Sequence, residues 1–202
     1  MSEAILTQPQ QKVLELLTPL VLEKKFYLAG GTALALHIGH RRSVDFDFFT
    51  QQQFDPSALL TMLPPCAVHQ QARGTLTISV HSVRTSFFEF PYPLLEPLQS
   101  SKNIPVAHIA DIAAMKISAI AGRGSRKDFV DLYIIAKQFY SLQECITFFS
   151  KKYETVKTDI YHLMRSLTYF QDAEEETMPE MLIEFDWESA KKFFINEVKK
   201  LS

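Results

Sequence analysis

The chain has 202 residues, 47% of them hydrophobic, and a formal net charge of −2. That length suits one large domain or two small lobes, with ample apolar content for a core. The charge excludes a global basic field for nucleic acid or anionic membranes, so any contact with a polyanion must come from a local patch. Cys66 and Cys145 form no CxxC pair, which argues against a zinc site or disulfide framework and favours a reducing cytoplasm.

The N-terminal sequence MSEAILTQPQQ has neither the basic nor the apolar region of a signal peptide. No run of about 18 uncharged apolar residues predicts a transmembrane helix. We therefore expect a cytoplasmic protein with no membrane partner.

Residues 9–24 have apolar side chains at helical spacing, and FYLAGGT predicts a short strand that ends in glycines. Residues 32–39 predict a helix with Thr32 as its N-cap and Gly39 as its stop. SVDFDFFT, residues 43–50, predicts a strand because of its high β propensity.

Asp55 and Pro56 predict the start of another helix. The segments AVHQQ, TLTISVHSV and TSFFEF then predict strands between about 66 and 90, separated by ARG and by a turn at Arg84.

The pattern becomes helical after PYPLLEP, and the acidic residues 172–176 predict a solvated loop. The predicted helices of this half are 107–122, 126–140, 141–153, 157–170 and 187–200. We therefore expect an α+β fold with a mixed lobe over residues 1–103 and a helical C-terminal lobe over residues 104–202.

Two carboxylates in an apolar strand are unusual, since aspartate is depleted in strands and is almost never buried unpaired. Side chains at i and i+2 share a face, so Asp45 and Asp47 project together while Phe46 and Phe48 point into a core. Two carboxylates with phosphate oxygens are a donor set that suits magnesium. The alternative is an edge strand whose aspartates are merely solvated.

Three other features favour a ligand site. Gly30-Gly31-Thr32, between a strand and a helix, lets the backbone and helix N–H groups approach an anion, although a tight turn alone also explains the glycines. Glu89 is a candidate third acid or general base, or else a solvent-facing strand residue. Basic side chains that could bind phosphates are the third feature, although each of them alone could also be a solvated surface charge. The candidates are Arg41, Arg42, Lys116, Arg123, Arg126 and Lys127.

YLAGGTALALHIGHRRSVDFDFF and MKISAIAGRGSRKDFVDLYII together resemble the AbiEii/AbiGii toxin family of the polymerase-β-like nucleotidyltransferase superfamily. The first block has a glycine pair with Thr and then HR-x-S-x-D-x-D, and the second has a Lys, an Arg and K-D-x-x-D-L-Y. The resemblance spans about residues 26–136 and implies a minimal nucleotidyltransferase fold, which is a short mixed sheet flanked by helices, followed by a helical lobe that completes an active-site cleft.

The resemblance also implies a Mg²⁺-dependent (or Mn²⁺-dependent) enzyme that moves a nucleoside monophosphate from a nucleoside triphosphate to an acceptor hydroxyl. It assigns metal binding to Asp45 and Asp47, and catalysis to these two with Glu89, Lys116 and Asp128. The nucleotide-binding residues it implies are Gly30, Gly31, Thr32, Arg41, Ser43, Lys116 and Arg123. The superfamily's third carboxylate is usually Asp, whereas the candidate general base here is Glu89, whose side chain is one methylene longer.

As implied by the resemblance, the expected biological role is the toxin of a type IV-like toxin–antitoxin or phage abortive-infection pair. RNA such as tRNA is the expected acceptor, and an antitoxin encoded nearby is the expected partner. Two other functions stay open: a non-catalytic nucleotide- or partner-binding protein that keeps the fold, and a different DxD enzyme such as a sugar-nucleotide transferase.

Overall fold

The computed structural model describes residues 5–156 and 159–201. The chain divides into two compact units, Met1–His108 and Ile109–Ser202, called the sheet unit and the helical unit below. Part of the predicted helix 157–170 therefore lies outside the described residues.

The sheet unit is built on a mixed sheet, seven-stranded over the described residues, with strand order β3-β4-β5-β2-β1-β7-β6. The pairs β1–β7 and β2–β5 are parallel and the others are antiparallel. The strands are β1 (Tyr27–Ala29), β2 (Phe46–Thr50), β3 (Ala67–Ala72), β4 (Thr75–Val80), β5 (Val83–Glu89), β6 (Gln99–Ser101) and β7 (Ile104–Val106).

Three helices accompany this sheet in the described part of the unit: α1 (Gln8–Glu23), α2 (Gly30–Ile38) and α3 (Pro56–Thr61). Gly39 ends α2 in the left-handed conformation, and the Asp55 carboxylate caps α3 by accepting from the Ser57 N–H, so both predicted signals are confirmed. The predicted N-cap at Thr32 is wrong, because α2 already starts at Gly30 and Ala29 is its N-cap.

The turn between β4 and β5 lies at His81 and Ser82, both with positive φ, and Arg84 belongs to β5. The predicted turn at Arg84 is therefore wrong, because two residues with φ > 0 form the tight connection of a hairpin. The strands β6 and β7 were not predicted from the sequence.

The core of the sheet unit lies on one sheet face. Phe48 of β2 stacks on Phe87 of β5, with ring centroids 5.5 Å apart, and Phe26 packs edge-on against Phe87 at 5.1 Å. All three rings are buried. This face is thus fixed by aromatic packing between neighbouring strands.

The helical unit contains α4 (Ile109–Arg123), α5 (Arg126–Gln138), α6 (Leu142–Lys152), α7 (Ile160–Ser166), α8 (Gln171–Glu175) and α9 (Trp187–Leu201). Its aromatic core includes Phe129, Phe194 and Trp187 in edge-to-face contact. The segment 172–176, predicted as a loop, is mostly the short helix α8, whose Ala173 is buried.

A fully buried ion pair joins α4 to α6: Lys152 Nζ lies 2.7 Å from Asp111 Oδ1, and both side chains are 0% exposed. Within the described residues, no helix is long and apolar enough to cross a membrane. The α+β class predicted from the sequence, with a mixed sheet and a helical C-terminal part, is confirmed.

Candidate active site

The acidic pair lies at the start of β2, in the middle of the sheet. Phe46 and Phe48 are buried, whereas Asp45, just before the strand, and Asp47 within it are only half-buried. Asp47 is in register with Ala29 of β1 and Ser86 of β5. The alternation therefore places Asp47 on the face opposite the Phe48 core, with Asp45 just before the strand.

The glycine turn lies directly beside Asp47. Gly30 has a φ of +71°, and a Cβ built on it would lie 3.2 Å from Asp47 Oδ2. The missing side chain thus lets the backbone that begins α2 come close to the carboxylate. This juxtaposition brings the Gly-Gly turn next to Asp47 of the acidic pair.

Gly31 is required for a different reason. A Cβ at this position would overlap the Arg41 guanidinium and would lie 3.2 Å from Ser43 Oγ. Arg41 is only 4% exposed, and its Nη1 donates to the Arg42 carbonyl at 2.9 Å. The Arg41 side chain therefore packs under the turn and holds it against the segment that precedes β2.

Hydroxyl groups bind the same two segments together. Thr32 Oγ1 donates to the Asp45 carbonyl and lies 2.8 Å from Ser43 Oγ. Gln10 of α1 donates to the Ser43 carbonyl at 2.8 Å. The backbone around Asp45 is thereby fixed from two helices, and no sequence signal identified the contribution of Gln10.

Glu89 does not join the acidic pair. In the parallel register of β2 and β5, Glu89 is opposite Thr50, on the face that carries Phe48 and Phe87. It packs against Gly74, where an added Cβ would lie 2.9 Å from the Glu89 side chain. The expectation that Glu89 lies beside Asp45 and Asp47 is therefore wrong.

Ser86 occupies the position of β5 that faces the same way as Asp47. Among residues 5–156 and 159–201, no group of three or more His, Cys, Asp or Glu side chains could hold a metal ion. A cation at this site would therefore have two carboxylates and would need its other ligands from substrate and water, as Mg²⁺ commonly does.

The second motif forms a buried charge cluster in the helical unit. Lys116 Nζ of α4 lies 2.8 Å from Asp128 Oδ1 and 2.6 Å from Asp131 Oδ2, both on α5. The lysine side chain is 6% exposed and the two aspartates are 0% exposed. The i, i+3 spacing puts both carboxylates on one helical face, so one ammonium group is shared between them.

Arg123 completes this cluster, since its Nε donates to Asp128 Oδ2 at 2.8 Å while the rest of its side chain is 60% exposed. Burial alone would raise the pKa of the Asp128 carboxyl. The charge of Lys116 and the hydrogen bond and charge of Arg123 outweigh burial, so the pKa of Asp128 lies below its ordinary value. Asp128 is thus a carboxylate that holds two cations in place.

The site residues predicted from the sequence therefore lie in two groups. The group around the glycine turn of the sheet unit consists of Gly30, Gly31, Thr32, Arg41, Ser43, Asp45 and Asp47. The group in the helical unit is the Lys116 cluster, with Lys116, Arg123 and Asp128. Glu89 belongs to neither group. The K-D-x-x-D motif favoured an orienting role for Asp128 over Asp131, and the structure places Asp131 in the same cluster, 2.6 Å from Lys116 Nζ.

Comparison with known proteins identifies the family. The family described as "Nucleotidyl transferase AbiEii toxin, Type IV TA system" matches residues 13–84 and 77–200. The chain belongs to the AbiEii family. It is also 38% identical over 203 residues to an uncharacterized protein of Aquifex aeolicus, covering 96% of this chain and 97% of that protein.

Solved structures support the fold. MenT4, a nucleotidyltransferase toxin of Mycobacterium tuberculosis, matches with a TM-score of 0.61 at 14% identity, over 94% of this chain and 80% of MenT4. JHP933 of Helicobacter pylori matches with a TM-score of 0.54 at 14% identity, over 95% and 89% of the two chains. The predicted nucleotidyltransferase fold of this AbiEii protein is thereby confirmed.

Proposed function

We propose that this AbiEii protein transfers a nucleoside monophosphate from a nucleoside triphosphate to a hydroxyl group of RNA, such as tRNA. The observation that supports the proposal is the close approach of the Gly30 backbone to Asp47, because it places a turn suited to an anion beside a carboxylate suited to a cation. A triphosphate with its divalent cation requires both features at one place.

The donor set suits Mg²⁺, or Mn²⁺, held by Asp45 and Asp47. Carboxylate oxygens from the protein, together with phosphate oxygens from a substrate, are the hard ligands that such a cation prefers. When bound, the ion would neutralise charge on the phosphate oxygens and orient the α-phosphate.

The glycine turn would bind the triphosphate through its backbone. Gly31 and Thr32 lie in the first turn of α2, where N–H groups lack intrahelical partners and the helix dipole favours an anion. Arg41 and Ser43 brace this turn, and the Thr32 hydroxyl already donates to the Asp45 carbonyl. Their proposed contribution is therefore mainly to hold the N–H groups in a fixed geometry.

Lys116 and Arg123 would supply positive charge for the phosphates. The Lys116 ammonium group is held by two buried carboxylates of the same unit. We assign Asp128 as a positioning residue that orients both cations. Glu89 has no part in this mechanism, since it lies on the other face of the sheet.

The test is incubation with each labelled nucleoside triphosphate, Mg²⁺ and total RNA. We expect labelled RNA and pyrophosphate from the wild type, none with EDTA, and a loss of about a thousandfold or more in Asp47→Asn, since metal-held charge stabilisation supplies several kcal/mol. The melting temperature of Asp47→Asn should match that of the wild type. Transfer at the wild-type rate by Asp47→Asn would show that the acidic pair takes no part in the reaction.

We also propose that the protein acts as a toxin with a cognate antitoxin encoded nearby. Expression should arrest growth, and Asp47→Asn should relieve the arrest. Arrest that persists in this variant would show that toxicity does not need nucleotidyl transfer.

The position of Ser86 favours a second candidate function. Because the face of Asp47 carries Ser86 rather than a third acid on β5, binding of nucleotide without turnover is the alternative. Binding of a triphosphate measured by calorimetry, with no pyrophosphate released in the presence of any RNA pool, would support this alternative.

A further inference from the structure

An open cavity of about 290 Å³ lies in the helical unit, between the end of α4 and the segment from α7 to α8. Its volume is just below the roughly 300–1,000 Å³ of small-molecule sites, which suits one nucleotide. The chemically informative residues of its lining are Gly122, Arg123, His162, Arg165, Tyr169 and Asp172.

The spacing of one segment creates most of this lining. His162, Arg165 and Tyr169 are at positions i, i+3 and i+7, so α7 and the residues after it present them on one side. The opposite wall contains Gly122, where an added Cβ would meet nothing within 4 Å. The cavity is thus lined by basic and aromatic side chains, with free space at the glycine.

Arg165 and Asp172 carry opposite charges in the same cavity. Neither forms an ion pair with another side chain in residues 5–156 or 159–201. A bare phosphate would suit Arg165 but would be repelled by Asp172. A ribonucleotide satisfies both, because Arg165 can bind its phosphate and the carboxylate can accept a hydrogen bond from a ribose hydroxyl.

Tyr169 supplies a surface for the base. Its side chain is 45% exposed, while its hydroxyl donates to Gln171 Oε1 at 2.7 Å. That hydrogen bond fixes the ring and leaves its face available, which is the arrangement on which single-stranded bases stack.

We propose that this cavity binds one nucleotide of single-stranded acceptor RNA, with its phosphate on Arg165 and His162, its base on Tyr169 and its 2′-hydroxyl on Asp172. The inference rests on the proposed function for the identity of the acceptor. Arg123 belongs to both the cavity and the Lys116 cluster, since its Nε holds Asp128. Acceptor binding is thereby linked to the residues that position Lys116.

The experiment measures binding of a short, labelled single-stranded RNA, and of DNA of the same sequence, to the full chain by fluorescence anisotropy. EDTA is present and triphosphate is absent, so the readout does not depend on transfer. The variants are Arg165→Gln, Tyr169→Leu and Asp172→Asn. Arg73→Gln, which removes the same charge from an exposed turn of the sheet unit, is the matched control.

We expect Arg165→Gln to weaken RNA binding about tenfold and to lower the slope of log affinity against log salt by about 0.7, the value for one single-strand phosphate contact. Tyr169→Leu should weaken the binding of RNA and of DNA alike, by about tenfold, since base stacking does not depend on the sugar. Asp172→Asn should abolish the preference of the wild type for RNA over DNA. Arg73→Gln should match the wild type.

Wild-type affinity in Arg165→Gln and Tyr169→Leu would overturn the proposal, and so would a wild type that does not bind RNA or does not prefer it to DNA. Asp47→Asn separates this outcome from failure of the proposed function. It should bind RNA normally yet fail to transfer, whereas normal transfer by Asp47→Asn would refute the acidic pair and leave the RNA cavity supported by its binding data.

Discussion

In the sheet unit, the acidic residues Asp45 and Asp47 are half-buried. In the helical unit, the acidic residues Asp128 and Asp131 are fully buried around Lys116. The first pair is partly exposed to solvent, whereas the second is enclosed with Lys116 and Arg123. The difference indicates that a ligand can reach the acidic pair, while the Lys116 cluster chiefly stabilises the α4–α5 contact and positions its cations.

The contrast extends to the backbone. Gly30 and Gly31 give the sheet unit a turn that allows close approach to a carboxylate and leaves room for Arg41. In the helical unit, regular helices carry the charges, and side-chain ion pairs fix them. Stability and function are therefore expected to respond differently to substitutions in the two units.

The largest effect on stability is expected from Lys116→Met. This change removes the ammonium group that both buried carboxylates contact, and removing one partner of a buried ion pair costs about 3–5 kcal/mol. Lys127→Met is the matched control, because Lys127 is exposed and should change stability by about 0.5 kcal/mol or less. Urea unfolding measures both. Equal stability of the two variants would show that the cluster is not a stabilising element.

The next effect concerns pH. The pKa of Asp128 is lowered in the folded protein. Its contribution to the free energy of unfolding is therefore complete above the unfolded pKa of about 3.9 and is lost as the pH falls through the folded pKa. Asp128→Asn should cost about 1.5–3 kcal/mol at neutral pH, the range for hydrogen bonds to charged groups. The gap between wild type and variant should shrink on acidification. A gap that stays constant from neutral to acid pH would contradict this assignment.

Local signals in the sequence predicted the parts of the fold that depend on single residues. Gly39 ends α2 because its left-handed conformation favours glycine, and Asp55 caps α3 through a short-range hydrogen bond. The acidic pair and the glycine turn were also predictable, since the i, i+2 spacing and the Gly-Gly-Thr sequence are local.

Features that depend on strand pairing were not predictable. Aromatic residues occupy both faces of β5, so alternation alone did not show that Phe87 faces the core and Phe88 the acidic pair. For that reason, the prediction placed Glu89 on the wrong face of the sheet. The strands β6 and β7 have only three residues each, and their pairing gives no periodic pattern in the sequence.

The smallest predicted effect tests the backbone of the glycine turn. Gly30→Ala should destabilise the protein by about 1–2 kcal/mol, since a left-handed φ of +71° is unfavourable for a residue with a Cβ. The added methyl would also lie 3.2 Å from Asp47 Oδ2, so nucleotide affinity should fall together with stability. Differential scanning calorimetry and triphosphate titration measure the two effects.

Gly122→Ala provides the control for this comparison, because Gly122 lies in the last turn of α4 with nothing within 4 Å of the new methyl group. Alanine is favoured over glycine in a helix, so this variant should be more stable by up to about 1 kcal/mol. The two substitutions add the same group and should change stability in opposite directions. If Gly30→Ala were as stable as Gly122→Ala and bound triphosphate normally, the close approach of the turn to Asp47 would have no part in the site.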